Sequence, residues 1–366
     1  MTANQTKKYL PRLIAWEVTR SCPLNCRHCR AAAINEPYPG ELTTDQCLGL
    51  LDNINGFSKP IIILTGGEPM LREDIYDIAK YGTDIGLRMV MAPCGELVTE
   101  QAARKMLDSG IKRISLSIDG PDAESHDGFR GVDGAFDNVL KAAEAARSTG
   151  LEFQINTTVS SYNLGQLERI LKLAVDLGAA AFHPFLLVPT GRGKELAHLE
   201  LSPEEYEKTL NWIYDASLES PIQFKPTCAP HYHRIMRQRG SGRQHSASRS
   251  TGHPGGLDTL SRGCMGGTSF AFISHVGKVQ ICGFLDEEAG DLKSNGFDFE
   301  KIWFNSPLFN RMRNREEYNG RCGVCEFHNI CGGCRARAFA MTGDYMAEEP
   351  FCTYTPRALQ REDDGH

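Results

Sequence analysis

No stretch of this chain approaches the ~20 consecutive apolar residues of a bilayer-spanning helix, and the opening MTANQTKKYLPR holds no apolar core of the kind a secretory signal requires. The expected location is the cytoplasm. A second absence is local. Between Glu219 and Asp258 lie 38 residues without one Asp or Glu, yet with Lys225, Arg234, Arg237, Arg239, Arg243 and Arg249 and with His231, His233, His245 and His253. Such a segment either meets an anionic ligand or forms a solvated basic loop, since 240–252 is a low-complexity Gly/Ser tract. The basic character is not global: 40 basic against 46 acidic side chains leave a net charge of −6 and no general affinity for nucleic acid. With 366 residues and 41% hydrophobic content, the chain can build one large domain or one plus a smaller one.

Cysteine, in contrast, is plentiful. Thirteen thiols are too many for a reducing compartment to use as disulfides, so metal clusters are the economical explanation. Cys22, Cys26 and Cys29 stand at x3 and x2 spacing just after an apolar run, Leu13 to Val18, that reads as a strand. Three cysteines on one loop hold three irons of a 4Fe-4S cluster and leave the fourth iron to a non-protein ligand. Structural zinc, the alternative, prefers a closed set of four. Downstream, Pro60 to Thr65 is a short β-branched run ending in Gly66-Gly67-Glu68-Pro69. Glycines there permit a close backbone approach, and the Glu68 carboxylate suits an ammonium group.

The two motifs in this order resemble the radical S-adenosylmethionine (SAM) superfamily. The resemblance implies that SAM chelates the open iron through its amine and carboxylate, and that Gly66, Gly67 and Glu68 receive the amine. His28 departs from the family by occupying a position usually held by an aromatic residue. Strands predicted at 13–19, 60–65, 87–92, 113–118, 153–159 and 181–188 alternate with amphipathic segments at 44–54, 99–109, 135–149 and 164–177. This α/β rhythm fits the partial (β/α)6 barrel that the resemblance implies, with ligands at the strand C-termini. By resemblance Ser117, Asp119 and Arg130 contact SAM, Arg130 at its carboxylate. Ser115 and Ser117 have the alternative of capping the next helix. Cys94 belongs near SAM without an assigned role, and Cys47 on an amphipathic helix reads as core.

The last third carries Cys264-x12-Gly277-x4-Cys282, then Cys322-x2-Cys325-x5-Cys331-x2-Cys334, then Cys352. The spacing resembles the C-terminal SPASM iron-sulfur domain of radical SAM enzymes, which usually has x3 before the position of Cys334. That likeness implies a second auxiliary cluster on Cys322, Cys325, Cys331 and Cys352. It also implies a first on Cys264, Cys282 and Cys334, with Cys228 the candidate fourth ligand. The expected set is therefore three 4Fe-4S clusters, oxygen-sensitive and handled anaerobically, within a barrel (1–190), a linking basic segment (191–260) and a SPASM domain (261–366).

Only 21 residues precede Cys22, which disfavours a leader-binding peptide maturase. The segments from Pro11 to Cys22, from Pro226 to Arg234 and around Cys264 resemble the tetrapyrrole-modifying branch, most closely its iron-coproporphyrin III decarboxylases. The resemblance implies that SAM is consumed as a cosubstrate and that two propionates become vinyls, with an auxiliary cluster accepting electrons. A flavodoxin or ferredoxin is the expected reductant. His231, His233, Arg234 and Arg237, with Arg239 and Arg243, become candidate contacts for the propionates. Sister tetrapyrrole enzymes, a peptide maturase and a non-catalytic iron-sulfur or zinc protein stay open as alternatives.

Overall fold

The computed structural model describes residues 9–240 and 263–363. Six parallel strands follow the expected rhythm: β1 (Leu13–Thr19), β2 (Ile61–Gly66), β3 (Arg88–Met91), β4 (Ile114–Ser117), β5 (Phe153–Val159) and β6 (Ala181–Leu186). Between them run α1 (Thr44–Phe57), α2 (Ile75–Asp84), α3 (Glu100–Asp108), the pair α4 (Ala123–Arg130) and α5 (Ala135–Thr149), and α6 (Leu167–Asp176). β2 starts one residue after Pro60, which has no N–H to give the ladder. The helices begin where side chains satisfy their free N–H groups. Thr43 and Gln46 form a reciprocal box before α1, and Thr99 and Asp122 cap α3 and α4. Because Asp122 does the capping, Ser115 and Ser117 are free for the barrel interior.

The sheet is wider than the six expected strands. α7 (Pro203–Glu219) leads to a two-residue strand, β7 (Gln223–Phe224), beside β6, and α8 (His231–Gly240) follows. On the other edge, β8 (Phe270–Ile273) pairs in parallel with β1 and continues antiparallel into β9 (Lys278–Cys282) and β10 (Leu285–Asp291). The order is β10-β9-β8-β1-β2-β3-β4-β5-β6-β7, so the C-terminal hairpins extend the barrel sheet instead of standing apart. Short helices complete the chain: α9 (Phe299–Asn305), α10 (Pro307–Arg313), α11 (Gly320–Val324), α12 (Arg335–Thr342) and α13 (Arg357–Asp363). Among the described residues no helix is long and apolar enough to cross a membrane.

The β1–β8 seam carries a buried charge cluster. Fully buried Glu17 accepts from Arg30 at 2.6 Å and Arg20 at 2.8 Å and lies 2.8 Å from Nδ1 of His275, which joins the cysteine loop to the C-terminal hairpins. Burial alone would push this carboxyl up, but His275, Arg30 and Arg20 together hold it down to about 2. Its stabilising contribution is thus fully present above the ordinary glutamate range and lost as pH falls toward about 2. Glu17→Gln is expected to destabilise the fold by about 3 kcal/mol at pH 7. Urea midpoints of the two proteins at pH 7 and below pH 4 check this: the gap should narrow in acid.

Candidate functional site

The loop after β1 owes its shape to close backbone packing. Gly67 N–H donates to Thr19 O at 2.9 Å and Glu68 N–H to Ser21 O at 2.7 Å. A Cβ on Gly66 would stand 2.0 Å from Thr19 O, and one on Gly67 2.2 Å from Ser21 O. The close approach that the glycine pair permits is therefore made to the cysteine loop itself. Glu68 is fully buried, accepting from the amides of Met70 and Cys94. Arg192, which sequence reasoning missed, closes the loop from the far side. Its side chain donates to Cys26 O at 2.9 Å and Ala33 O at 2.7 Å, and its amide to Cys29 O at 3.0 Å. The signal was the Gly191-Arg192-Gly193 triplet: Gly191 has φ +57°, and a Cβ there would lie 2.1 Å from Arg30 O.

Cys22, Cys26 and Cys29 line one cavity of about 530 Å3 that continues down the barrel interior. Period-2 alternation supplies its wall: Arg113 just before β4, Ser115 and Ser117 from β4, Gln154, Asn156 and Thr158 from β5, His183 and Phe185 from β6. Gln154 Nε2 lies 2.9 Å from His183 Nδ1 and 3.0 Å from Asn156 Oδ1, so this polar wall is internally bonded. Arg130 lines the cavity, and its Nη1 lies 3.7 Å from Cys26 Sγ. Asp119 stands behind Arg130 instead of in the wall. It accepts from Arg130 Nε at 2.9 Å and from the Thr158 amide at 2.7 Å, which makes it a positioning residue for Arg130. His28 stacks on Phe129 at 4.8 Å, as an aromatic residue there would. Burial pushes its imidazole down to about 4, so it is neutral at pH 7, and its buried Nδ1 has no partner.

The far end of the same cavity is formed by Cys228, Cys264, Cys282 and Cys334. Cys228 is held there with φ +57°, its carbonyl gripped by Tyr206 Oη at 2.8 Å and Arg337 Nη1 at 3.2 Å, and its thiol hydrogen-bonded to Cys334. A second cavity is lined by Cys322, Cys325, Cys331 and Cys352. The two cysteine sets that the resemblance implies are therefore brought together, and Cys228 joins the first of them.

The chemistry of these sulfurs fits iron ligation. Cys282, Cys325 and Cys331 each accept an N–H from the residue two places on, at 3.4 Å, and Cys22, Cys264 and Cys352 show the same i to i+2 pairing. Cys322 accepts from the Glu349 amide at 3.3 Å. Amides aimed at sulfur mark it as an acceptor, the role of a metal-bound thiolate. Cys47 behaves oppositely: its thiol donates to Leu42 O, burial pushes it up to about 12, and it packs in the core as expected. Among the described residues no three His, Cys, Asp or Glu side chains converge on a single-ion site. The ligands of a polynuclear cluster stand further apart, each on its own iron.

The basic segment does not act as one surface. Lys225 and His233 line the large cavity, whereas His231 and Arg234 line the second one. The reason is helical phase: positions 231 and 234 share one face of α8, and 233 points elsewhere. Arg237 is exposed, and Arg239 pairs with Asp215 at 2.6 Å. Arg243, Arg249, His245 and His253 lie outside the described residues. The large cavity nonetheless collects cations. Arg30, Arg88, Arg113, Arg130, Arg335 and Lys225 line it, and among the described residues no Asp or Glu does.

Residues 16–174 match the model of the radical SAM superfamily, and residues 264–326 match that of an iron-sulfur cluster-binding domain, SPASM. The chain is 52% identical over 348 residues to an AdoMet-dependent heme synthase of Nitratidesulfovibrio vulgaris, covering 95% of this chain and 94% of that protein. A protein of the same description from Methanosarcina barkeri is 49% identical over 346 residues, covering 94% and 97%. Among solved structures, Streptococcus suis SuiB bound to S-adenosylmethionine superposes with a TM-score of 0.72 at 14% identity, covering 96% of this chain and 80% of that one, a likeness of fold.

Proposed function

We propose, since this chain belongs to the radical SAM superfamily and within it to the AdoMet-dependent haem synthase family, that it decarboxylates two propionates of iron-coproporphyrin III to vinyl groups. The observation that carries this reading is one cavity, lined among the described residues by six cations and no carboxylate, that joins the Cys22–Cys29 loop to the cysteines around Cys334. A polyanionic ring suits such a wall, and it would lie between the site of hydrogen removal and an electron acceptor.

The bound groups, SAM and three 4Fe-4S clusters in this reading, supply a 5'-deoxyadenosyl radical at one end of the cavity and an electron sink at the other. Each conversion removes one hydrogen atom from the propionate β-carbon, releases CO2 and passes on one electron, so charge and atoms balance. The protein's residues hold and orient. Cys22, Cys26 and Cys29 would carry the SAM-binding cluster, with Gly66, Gly67 and Glu68 flanking the methionyl amine. Arg130, aimed by Asp119, would meet the SAM carboxylate. Ser117 and the unpartnered Nδ1 of His28 offer further polar contacts. Cys228, Cys264, Cys282 and Cys334 would complete the first auxiliary cluster, and Cys322, Cys325, Cys331 and Cys352 the second. Lys225 and His233 face the same space and would meet propionates.

Soret-band titration tests the substrate class. Iron-coproporphyrin III should shift the band on binding, and its tetramethyl ester, with the charges removed, should bind at least about 10-fold more weakly. Equal affinity for acid and ester would remove the cation argument. A silent acid with a responsive didecarboxysirohaem would move the enzyme to a sister reaction.

A further inference from the structure

The second cavity holds an unexplained set of donors. His231 and Arg234, one turn apart on α8, line it together with Cys322, Cys325, Cys331 and Cys352. Both are deeply buried, at 1% and 3% exposure. Both ring nitrogens of His231 and the Nε of Arg234 lack any hydrogen-bond partner. A buried donor left unsatisfied costs about 1–3 kcal/mol; a neutral imidazole has one N–H to give, so His231 and the Nε of Arg234 bring two unsatisfied donors to residues lining one cavity, and these call for an acceptor inside it.

The two side chains are also fixed where they stand. The His231 ring packs edge-on against Tyr206 at 5.0 Å. The Arg234 guanidinium is tied to Glu207 and to Gln238 Oε1 at 2.7 Å and lies over the Tyr354 ring at 5.2 Å. Its charge acts on Cys325, Cys331 and Cys352. Neither residue lines the large cavity, so neither is placed to meet a porphyrin carboxylate there.

We infer that His231 and Arg234 donate hydrogen bonds to the sulfur atoms of the second auxiliary cluster and raise its reduction potential, serving as positioning residues of that cluster and not of the substrate. The inference rests on the reading of this four-cysteine cavity as a cluster site. A cluster gains negative charge on reduction, so N–H donors and a fixed cation beside it favour the reduced state. A second cluster poised in this way draws an electron onward from the first, which stands at the accepting end of the large cavity, more readily.

The test is an anaerobic redox titration of the reconstituted holoenzyme, followed by electron paramagnetic resonance without porphyrin. The signal missing from Cys331→Ala identifies the second auxiliary cluster. His231→Phe keeps a ring against Tyr206 and removes the donor, Arg234→Gln removes the charge, and His231→Gln restores an N–H. The expected result is unchanged iron and sulfide per chain, with a more negative midpoint for this cluster alone in the first two variants. His231→Gln should return toward wild type, and porphyrin affinity should stay within about twofold in all three. An unmoved midpoint would overturn the inference. So would loss of one cluster's iron from both His231 variants, which would make His231 a ligand, or weakened porphyrin binding at constant midpoint. A wild-type protein without iron at this site would overturn the cluster reading beneath it, whereas failure to bind any porphyrin would sink the proposed substrate and leave this inference standing.

Discussion

The Cys26→Ala protein is expected to form no 5'-deoxyadenosine above the background of cluster-free protein, a loss greater than about 100-fold. That figure is the upper end of what removing a mere supporting contact costs at a metal site, and Cys26 would be a ligand itself. Cys26 sits at the centre of the loop, its carbonyl held by Arg192 and its sulfur facing Arg130. Nothing else in the loop replaces it. Cys228→Ala should behave differently, because Cys228 belongs to the opposite end of the cavity. It should lose the signal of the first auxiliary cluster and most vinyl formation while still cleaving SAM. Iron analysis, paramagnetic resonance and 5'-deoxyadenosine assays on the two variants separate the cases. Loss of cleavage in both, with the fold intact, would contradict the division of the cavity into a radical-generating end and an accepting end.

Placing one negative charge among the cations of this wall should have the next largest effect. Lys225→Glu is expected to weaken binding of iron-coproporphyrin III by about 10- to 1,000-fold. A unit charge pair at ~4 Å is worth about 1 kcal/mol in water and about 4 at the effective dielectric near a protein surface. The effect should shrink as salt is raised, since the cavity opens to solvent. SAM cleavage in the absence of porphyrin should change far less, because Lys225 follows β7 and the cysteine loop follows β1. Soret titration at two ionic strengths gives the answer. An affinity within twofold of wild type would mean that the propionates are held elsewhere.

The barrel was legible because β1 to β6 are β-branched or apolar runs bounded by turns and separated by amphipathic helices, a pattern local enough to read residue by residue. β7 and β8 were not. Gln223–Phe224 is too short to show a period, and Phe270–Ile273 becomes a barrel-edge strand only by pairing with β1, more than 250 residues away in sequence. The two C-terminal cysteine sets were expected from the resemblance of their spacing to the SPASM pattern. Their division between two cavities is consistent with the structure, and the position of Cys228 beside Cys334 required tertiary contact to see. The basic segment misled because composition carries no phase. His231, His233 and Arg234 look equivalent in a list, but on a helix two of them turn toward the second cavity. Gln154 and His183 were invisible for a related reason: period-2 alternation places them inside the barrel only once strand register is known. Asp119 was recognised as important, but its service to Arg130 depends on an ion pair between a strand end and α4.

The most direct measurement is mass spectrometry of the porphyrin products after anaerobic incubation of the reconstituted, reduced protein with SAM and iron-coproporphyrin III. The account predicts loss of two carboxyl groups as CO2, two new vinyls and two molecules of 5'-deoxyadenosine per haem formed. An unchanged porphyrin alongside vigorous 5'-deoxyadenosine release would contradict it.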